Sequence, residues 1–233
     1  MTVGPARRGC KICLVPPQVL ADGDLPLDIL TEAERQRADR ILDPLRGLQV
    51  ARRRIILRRI LGQALGQPAE SLDFTTNADG KPELVNHPLR FNLSASEGWV
   101  AVALSDGIDV GIDIERLRTI AGSADMAQRF FTSPEAGPLS ALPEPHRSAA
   151  FLRCWTRKEA VIKGLGYGIR AWKAAQEVGF RPCPETGKVF DIGNERFRLH
   201  DIEAAPEVVI SLVRCDGRRL PKPLVHLIEN LKP

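Results

Sequence analysis

One pattern is written twice in this chain. Arg90-Phe91-Asn92-Leu93-Ser94 is answered about a hundred residues later by Arg196-Phe197-Arg198-Leu199-His200. Each pentapeptide leads into an apolar run, Trp99 to Leu104 and then Val208 to Val213, and each run is followed by Asp-Gly, at Asp106-Gly107 and Asp216-Gly217. Short β-rich runs bounded by turn residues read as strands. Their recurrence after helical stretches predicts a duplicated α+β unit of roughly a hundred residues. The expected fold class is therefore α+β, with two units related by a pseudo-twofold axis. The division expected is an N-terminal half over 1–106 and a C-terminal half over 107–233.

The periodicity fills in each half. Helices are expected over Thr31 to Leu42 and Leu45 to Leu65, the second with an apolar face at Val50, Leu57, Ile60, Leu61, Ala64 and Leu65. Thr75 to Pro82 reads as a long loop with a turn at Asp79-Gly80. Strands are expected at Arg90 to Leu93, Trp99 to Leu104 and Ile108 to Ile114. In the second half, helices are expected near Ala124 to Phe131 and Pro145 to Lys163. A short helix between them has Ser133 as its N-cap and Pro134 at its first position. Strands return at Glu195 to His200 and Val208 to Arg214.

Composition narrows the function classes. With 43% hydrophobic and 27% charged residues, the 233-residue chain is neither disordered nor membrane-spanning in character. No apolar run reaches the roughly 18 residues that cross a bilayer, and no signal-peptide core is seen. A net charge of +4 is too small to argue for nucleic acid. Cys10 and Cys13 form a CxxC without a second pair, which is not a zinc set, and the odd cysteine count fits reduced thiols in a cytoplasm. The modest net charge conceals nine arginines between Arg35 and Arg59 against Asp39 and Asp43, an excess suited to an anionic partner.

Three constellations carry chemistry. In Gly111-Ile112-Asp113-Ile114-Glu115, strand alternation puts Asp113 and Glu115 on one face and Ile112 and Ile114 on the other. Two readings stand: a hard cation such as Mg²⁺ shared by the carboxylates, or a solvated acidic strand face. In Trp155-Thr156-Arg157-Lys158-Glu159-Ala160-Val161-Ile162-Lys163, a helix brings Trp155, Glu159 and Lys163 to one side. That is either a third carboxylate with an ammonium beside it or an ordinary i, i+4 ion pair. The glycines that follow, Gly164, Gly166 and Gly168, read as helix termination. Arg53 and Arg54 interrupt an apolar helix face and either meet a phosphate or reach a carboxylate or solvent.

Taken together, Gly111 to Glu115 and Trp155 to Lys163, with Gly80-Lys81-Pro82 and Phe91-Asn92-Leu93-Ser94 upstream, resemble the 4′-phosphopantetheinyl transferase superfamily. The length and the duplication resemble its single-chain, two-half branch. The resemblance runs from about Arg46 to Leu212. It implies a site between the halves and transfer of the phosphopantetheine arm of coenzyme A to a serine of an acyl or peptidyl carrier protein, releasing 3′,5′-ADP. It implies Asp113, Glu115 and Glu159 as Mg²⁺ ligands, Glu159 as general base, and Lys163 as the group that neutralises or protonates the leaving phosphate. It places Lys158 beside the pyrophosphate, Lys81 and Ser94 at the nucleotide end of coenzyme A, and Arg46 and Arg54 at its phosphates. The partner implied is a small acidic carrier domain met by a cytoplasmic monomer, with neither nucleic acid nor membrane involved. One position departs from the family pattern: Ala95 stands where a histidine that contacts a coenzyme A phosphate is usual. A Mg²⁺-dependent nuclease leaves the Gly-Lys-Pro and Phe-Asn-Leu-Ser elements unexplained. A non-catalytic carrier-binding homologue leaves the three retained carboxylates unexplained.

Overall fold

The computed structural model describes residues 9–21, 26–166, 177–218 and 223–231. In chain order, β1 (Cys10–Val15), α1 (Pro17–Ala21), α2 (Glu32–Asp39) and α3 (Pro44–Leu65) come first. A small ribbon follows, β2 (Phe74–Thr76) with β3 (Pro82–Leu84), and then the hairpin β4 (Leu89–Ser96) and β5 (Trp99–Asp106). The second half runs β6 (Val110–Arg116), α4 (Ser123–Phe130), α5 (Ser133–Ser140), α6 (His146–Leu165), β7 (Lys188–Ile192), β8 (Glu195–Ile202) and β9 (Val208–Arg214). A last strand, β10 (Leu224–Leu227), completes the described chain.

Two four-stranded sheets form, in the orders β10-β1-β5-β4 and β6-β9-β8-β7. The duplication is visible in them. The antiparallel run β1-β5-β4 of the first sheet is matched by β6-β9-β8 of the second. One long helix, α3 or α6, lies in the crossover of each half. Alternation of side chains then builds four layers. Cys13, Val15, Phe91, Val100 and Val102 face α3 through Ile56, Leu57, Ile60 and Leu61. The opposite faces of the same strands, with Ile12, Leu14, Ala101 and Ala103, pack on Val110, Ile112, Ile114, Ile210 and Leu212 of the second sheet. Beyond it, Phe197, Leu199, Val209 and Val213 meet the buried face of α6. The order is helix, sheet, sheet, helix.

Several expectations shift. The boundary between Asp106 and Gly107 falls in the turn between β5 and β6, but β10 leaves the second half and pairs parallel with β1 in the first sheet. The stretch from Thr75 to Pro82 is the turn of the β2–β3 ribbon together with the strand ends beside it. Thr132, rather than Ser133, caps α5. The buried face of α3 is rotated from the expected one: Ala51, Ile55, Arg58 and Gly62 are buried with the leucines and isoleucines, while Val50, Arg53 and Arg54 lie at its margin. The buried arginine is Arg58, held by Glu34 through Nε at 2.9 Å and Nη2 at 3.1 Å and by the carbonyls of Ala69 and Leu72. Gly166 ends α6 in the left-handed conformation at φ 76°, as its chemistry suggests, whereas Gly168 is outside the described residues. Cys10 and Cys13 lie on opposite faces of β1, one in each core layer, so they form neither a disulfide nor half a metal site.

Candidate active site

The two sheets meet along β4 and β6, which are edge strands of different sheets. Side chains do the joining. Asn92 Oδ1 accepts from Ile112 N at 2.9 Å, and Ser96 Oγ accepts from Arg116 N at 3.3 Å. Between them Ser94 Oγ donates to Asp113 Oδ1 at 2.7 Å. A row of polar residues at every second position of β4 thus satisfies an edge that would otherwise be left unpaired.

Helix α6 reaches this junction because Gly111 lets it. A Cβ at Gly111 would lie 1.9 Å from Ala160 O and 2.3 Å from Gly164 N. No residue but glycine permits that approach. The contact at Ala160 and Gly164 brings their neighbours Glu159 and Lys163 beside the acidic face of β6. Lys163 Nζ donates to Asp113 Oδ1 at 2.6 Å and to Ser94 Oγ at 3.0 Å. Trp155 sits one turn before Glu159, stacked on Phe151 and edge-on to Phe130, and anchors the helix.

The electrostatics of the group are strained toward the negative. Burial raises the Asp113 carboxyl, Lys163 and Ser94 oppose that rise, and the Glu115 charge adds to it, leaving the net shift upward. Burial also raises Glu159, and repulsion from Asp113 and Glu115 adds to the rise against the pull of Lys163. Asp113 is 4% exposed, and its Oδ2 is buried without a hydrogen-bond partner. Glu115 Oε2 accepts from Ser96 Oγ and from Arg118 Nη1, both at 2.8 Å. Among the described residues no three His, Cys, Asp or Glu side chains are grouped closely enough to hold one metal ion as they stand. Even so, the donor set suits a hard cation. All donors are carboxylate oxygens, they repel one another, and one buried oxygen is unpaired.

A trough runs from this group into the first half. Its near part, of about 340 Å³, is lined by Lys81, Asn92, Glu159 and Lys163; a larger cleft of about 560 Å³ shares Gly80, Pro82 and Asn92 with it and extends to Arg37, Arg53 and Arg54. Arg54 lies 3.8 Å over the Phe74 ring and is paired with Glu34. Lys81 is bound at its tip, with Nζ 3.2 Å from Val110 O, 3.1 Å from Gly164 O and 3.5 Å from Asp109 Oδ1. It fastens the first half to the end of α6.

The structure therefore brings together Ser94, Asp113, Glu115, Glu159 and Lys163, with Lys81 and Arg54 along the trough. Two sequence candidates stand apart. Lys158 is 2% exposed and its Nζ pairs with Glu135 at 2.8 Å, so the expectation that it meets a pyrophosphate gives way to a core ion pair. Arg46 lines neither cleft; its side chain is 79% exposed, 3.6 Å from Asp43 at the start of its own helix. Asn92, Ser96 and Arg118 were not singled out by sequence for any such role. The alternation Asn92, Ser94, Ser96 on one strand face is the signal that could have found the first two.

Residues 109–212 match the sequence model of the 4′-phosphopantetheinyl transferase superfamily. The chain is 33% identical over 155 residues to the 4′-phosphopantetheinyl transferase psf-1 of Bacillus pumilus, covering 64% of this chain and 60% of that protein. It is 36% identical over 144 residues to the 4′-phosphopantetheinyl transferase HetI of Nostoc sp., covering 60% and 61%. With the 4′-phosphopantetheinyl transferase Sfp of Bacillus subtilis it shares 32% identity over 116 residues, covering 49% and 50%. The chain thus spans about three fifths of the length of psf-1 and HetI. The matched stretch contains Gly111, Asp113, Glu115, Glu159 and Lys163, so the likeness to the 4′-phosphopantetheinyl transferase superfamily takes in the residues that meet at the junction of the sheets.

Proposed function

We propose that this chain transfers the 4′-phosphopantetheine arm of coenzyme A to a serine of an apo acyl or peptidyl carrier protein, with Mg²⁺, releasing 3′,5′-ADP. The observation that carries the reading is the convergence of Asp113, Glu159 and Lys163 at one end of a basic trough between the two halves. Asp113, Glu115 and Glu159 would hold the ion. When bound there, Mg²⁺ supplies positive charge to a diphosphate and so favours its cleavage.

The remaining chemistry belongs to the side chains. Glu159, made more basic by burial and by its acidic neighbours, accepts the proton of the attacking serine hydroxyl. The serine oxygen forms a bond to phosphorus as the bridging P–O bond breaks, and the electron pair leaves with 3′,5′-ADP. Lys163, 27% exposed and already oriented by Asp113 and Ser94, donates to the leaving phosphate oxygen. Arg54 and Lys81 line the trough that would receive the phosphates, and Ser94 borders it through Lys163. Both walls of the trough come from one chain, which supports a monomer as the working unit. No helix among the described residues is long and apolar enough to cross a membrane.

The test is direct. Incubation with coenzyme A, Mg²⁺ and an apo carrier domain should add about 340 Da to the carrier, the mass of the arm. Intact-mass spectrometry reads it. A carrier left unmodified by folded wild-type protein would overturn the proposal.

A further inference from the structure

Two carboxylates of β6 are held in the same way; the resemblance assigns neither Ser96 nor Arg118, and it gives Ser94 a different task. At Asp113, Oδ1 receives Ser94 Oγ at 2.7 Å and Lys163 Nζ at 2.6 Å, while Oδ2 is buried and bare. At Glu115, Oε2 receives Ser96 Oγ at 2.8 Å and Arg118 Nη1 at 2.8 Å. In each case one oxygen takes a serine from β4 and a cationic side chain. The other oxygen takes no part in either bond. Residues two apart on β4 match residues two apart on β6, so the arrangement follows from the strand repeat itself.

We infer that Ser94 and Ser96 are positioning residues, a pair of hydroxyls from the first half that fix the rotation of the Asp113 and Glu115 carboxylates and present Oδ2 and Oε1 to a divalent cation. The inference rests on the proposed site and gives its assembly a physical cause. A carboxylate turning freely about its last bond has no fixed lone pair for a metal; one tied at a single oxygen has the other aimed. Outer hydrogen bonds of this kind commonly set metal affinity. Ser96 is anchored in turn, because its oxygen also accepts from Arg116 N at 3.3 Å. Ser96 is 8% exposed and lines neither cleft, so its role does not depend on touching coenzyme A.

The hairpin tip between β4 and β5 strengthens the second rung. Glu97 at φ 44° and Gly98 at φ 89° make the two-residue turn. Glu97 lies 2.9 Å from Arg116 Nη1 and 3.5 Å from Arg118 Nε. The turn therefore holds the arginine that holds Glu115.

The experiment is a Mn²⁺ titration of the full chain followed by electron paramagnetic resonance, without coenzyme A, on wild type, Ser96→Ala and Ser96→Thr. The expected result is a dissociation constant raised about tenfold in Ser96→Ala and restored toward wild type in Ser96→Thr, with both variants shown by thermal melts to be folded at the assay temperature. If Ser96→Ala does not fold, Ser96→Cys keeps the volume with a weaker donor and should show the same direction. In transfer assays the Mg²⁺ requirement should rise while the KM for coenzyme A at saturating Mg²⁺ stays level. Wild-type Mn²⁺ affinity in the folded alanine or cysteine variant would overturn the positioning role and leave the transferase reading intact. A wild-type protein whose Mn²⁺ affinity depends on Ser96 yet which modifies no carrier would overturn the transferase reading and uphold the positioning role.

Discussion

Helix α6 carries two lysine–carboxylate pairs, and they are finished to different degrees. Lys158 meets Glu135 at 2.8 Å in the core of the second half. There Glu135 Oε1 also accepts from Gly179 N at 2.9 Å, and Oε2 from Thr132 N and Oγ1, both at 3.1 Å. Every oxygen is occupied. Lys163 meets Asp113 at 2.6 Å, but one oxygen of Asp113 is buried with nothing bound to it. The carboxyls respond in opposite directions. Burial raises Glu135, yet Lys158 and the surrounding donors outweigh it and hold the group below its ordinary value. At Asp113 burial wins and the group is pushed up. A closed pair holds a core together, and an open one has capacity left for a ligand.

The largest effect expected is on the open pair. Asp113→Ala should cut transfer at least about a thousandfold, or ~4 kcal/mol in the barrier, with little change in melting temperature. Steady-state assays and thermal melts read the two together. Wild-type-like turnover at ordinary Mg²⁺ would erase the distinction between the pairs.

The closed pair should behave in reverse. Glu135→Ala removes the carboxylate that Lys158 meets in the core and should cost about 3–5 kcal/mol of stability by urea denaturation. Turnover per folded molecule should stay near wild type. A stability loss no larger than that of Asp113→Ala would show that closure is not what Glu135 provides.

Acid sharpens the contrast. Because the folded-state pKa of Glu135 is below its unfolded value near 4.5, its contribution is present above that pH and is lost as pH falls through the folded value. Denaturation between about pH 6 and pH 3 should show wild type losing stability more steeply than Glu135→Gln. Equal slopes would place the acid sensitivity elsewhere.

The smallest effect concerns the far end of the trough. Arg54 already shares its charge with Glu34, so Arg54→Ala should raise the KM for coenzyme A by up to about tenfold and leave kcat unchanged. Ala95→His, on the face of β4 that also carries Leu93, should restore part of that loss in a double-mutant cycle. Additive effects would separate the two positions and return Arg54 to a purely structural role.

Much of this was legible before the fold. The repeated pentapeptide located β4 and β8, and the Gly111 to Glu115 and Trp155 to Lys163 elements mark the residues that converge. What escaped reading has physical causes. Cys10 to Val15 is buried on both faces, so its strand lacks the alternation that marks a half-exposed one. Leu224 and Leu227 are exposed, and their partner strand lies some two hundred residues away, beyond any local pattern. Lys158 is adjacent to Glu159 in sequence, but one step around a helix turns it away from the face shared by Glu159 and Lys163. Arg58 looked like its arginine neighbours because charge alone does not say which one Glu34 will draw into the core.

Strand β10 has a consequence for the order in which the molecule can be completed. It pairs with β1 from Lys11 opposite Leu224 to Leu14 opposite Leu227, and the segment continues into the first core through Ile228 and Leu231, with Arg59 donating to Leu231 O. A ribosome delivers β1, α3, β4 and β5 long before residues 224–227 exist. Until then the first sheet offers β1 as an open edge, a template for pairing with another chain. Its closure waits on residues some two hundred positions later and closes a very long loop, the kind of contact that slows folding and prolongs exposure to aggregation. The β1 edge is thus made well before the strand that seals it.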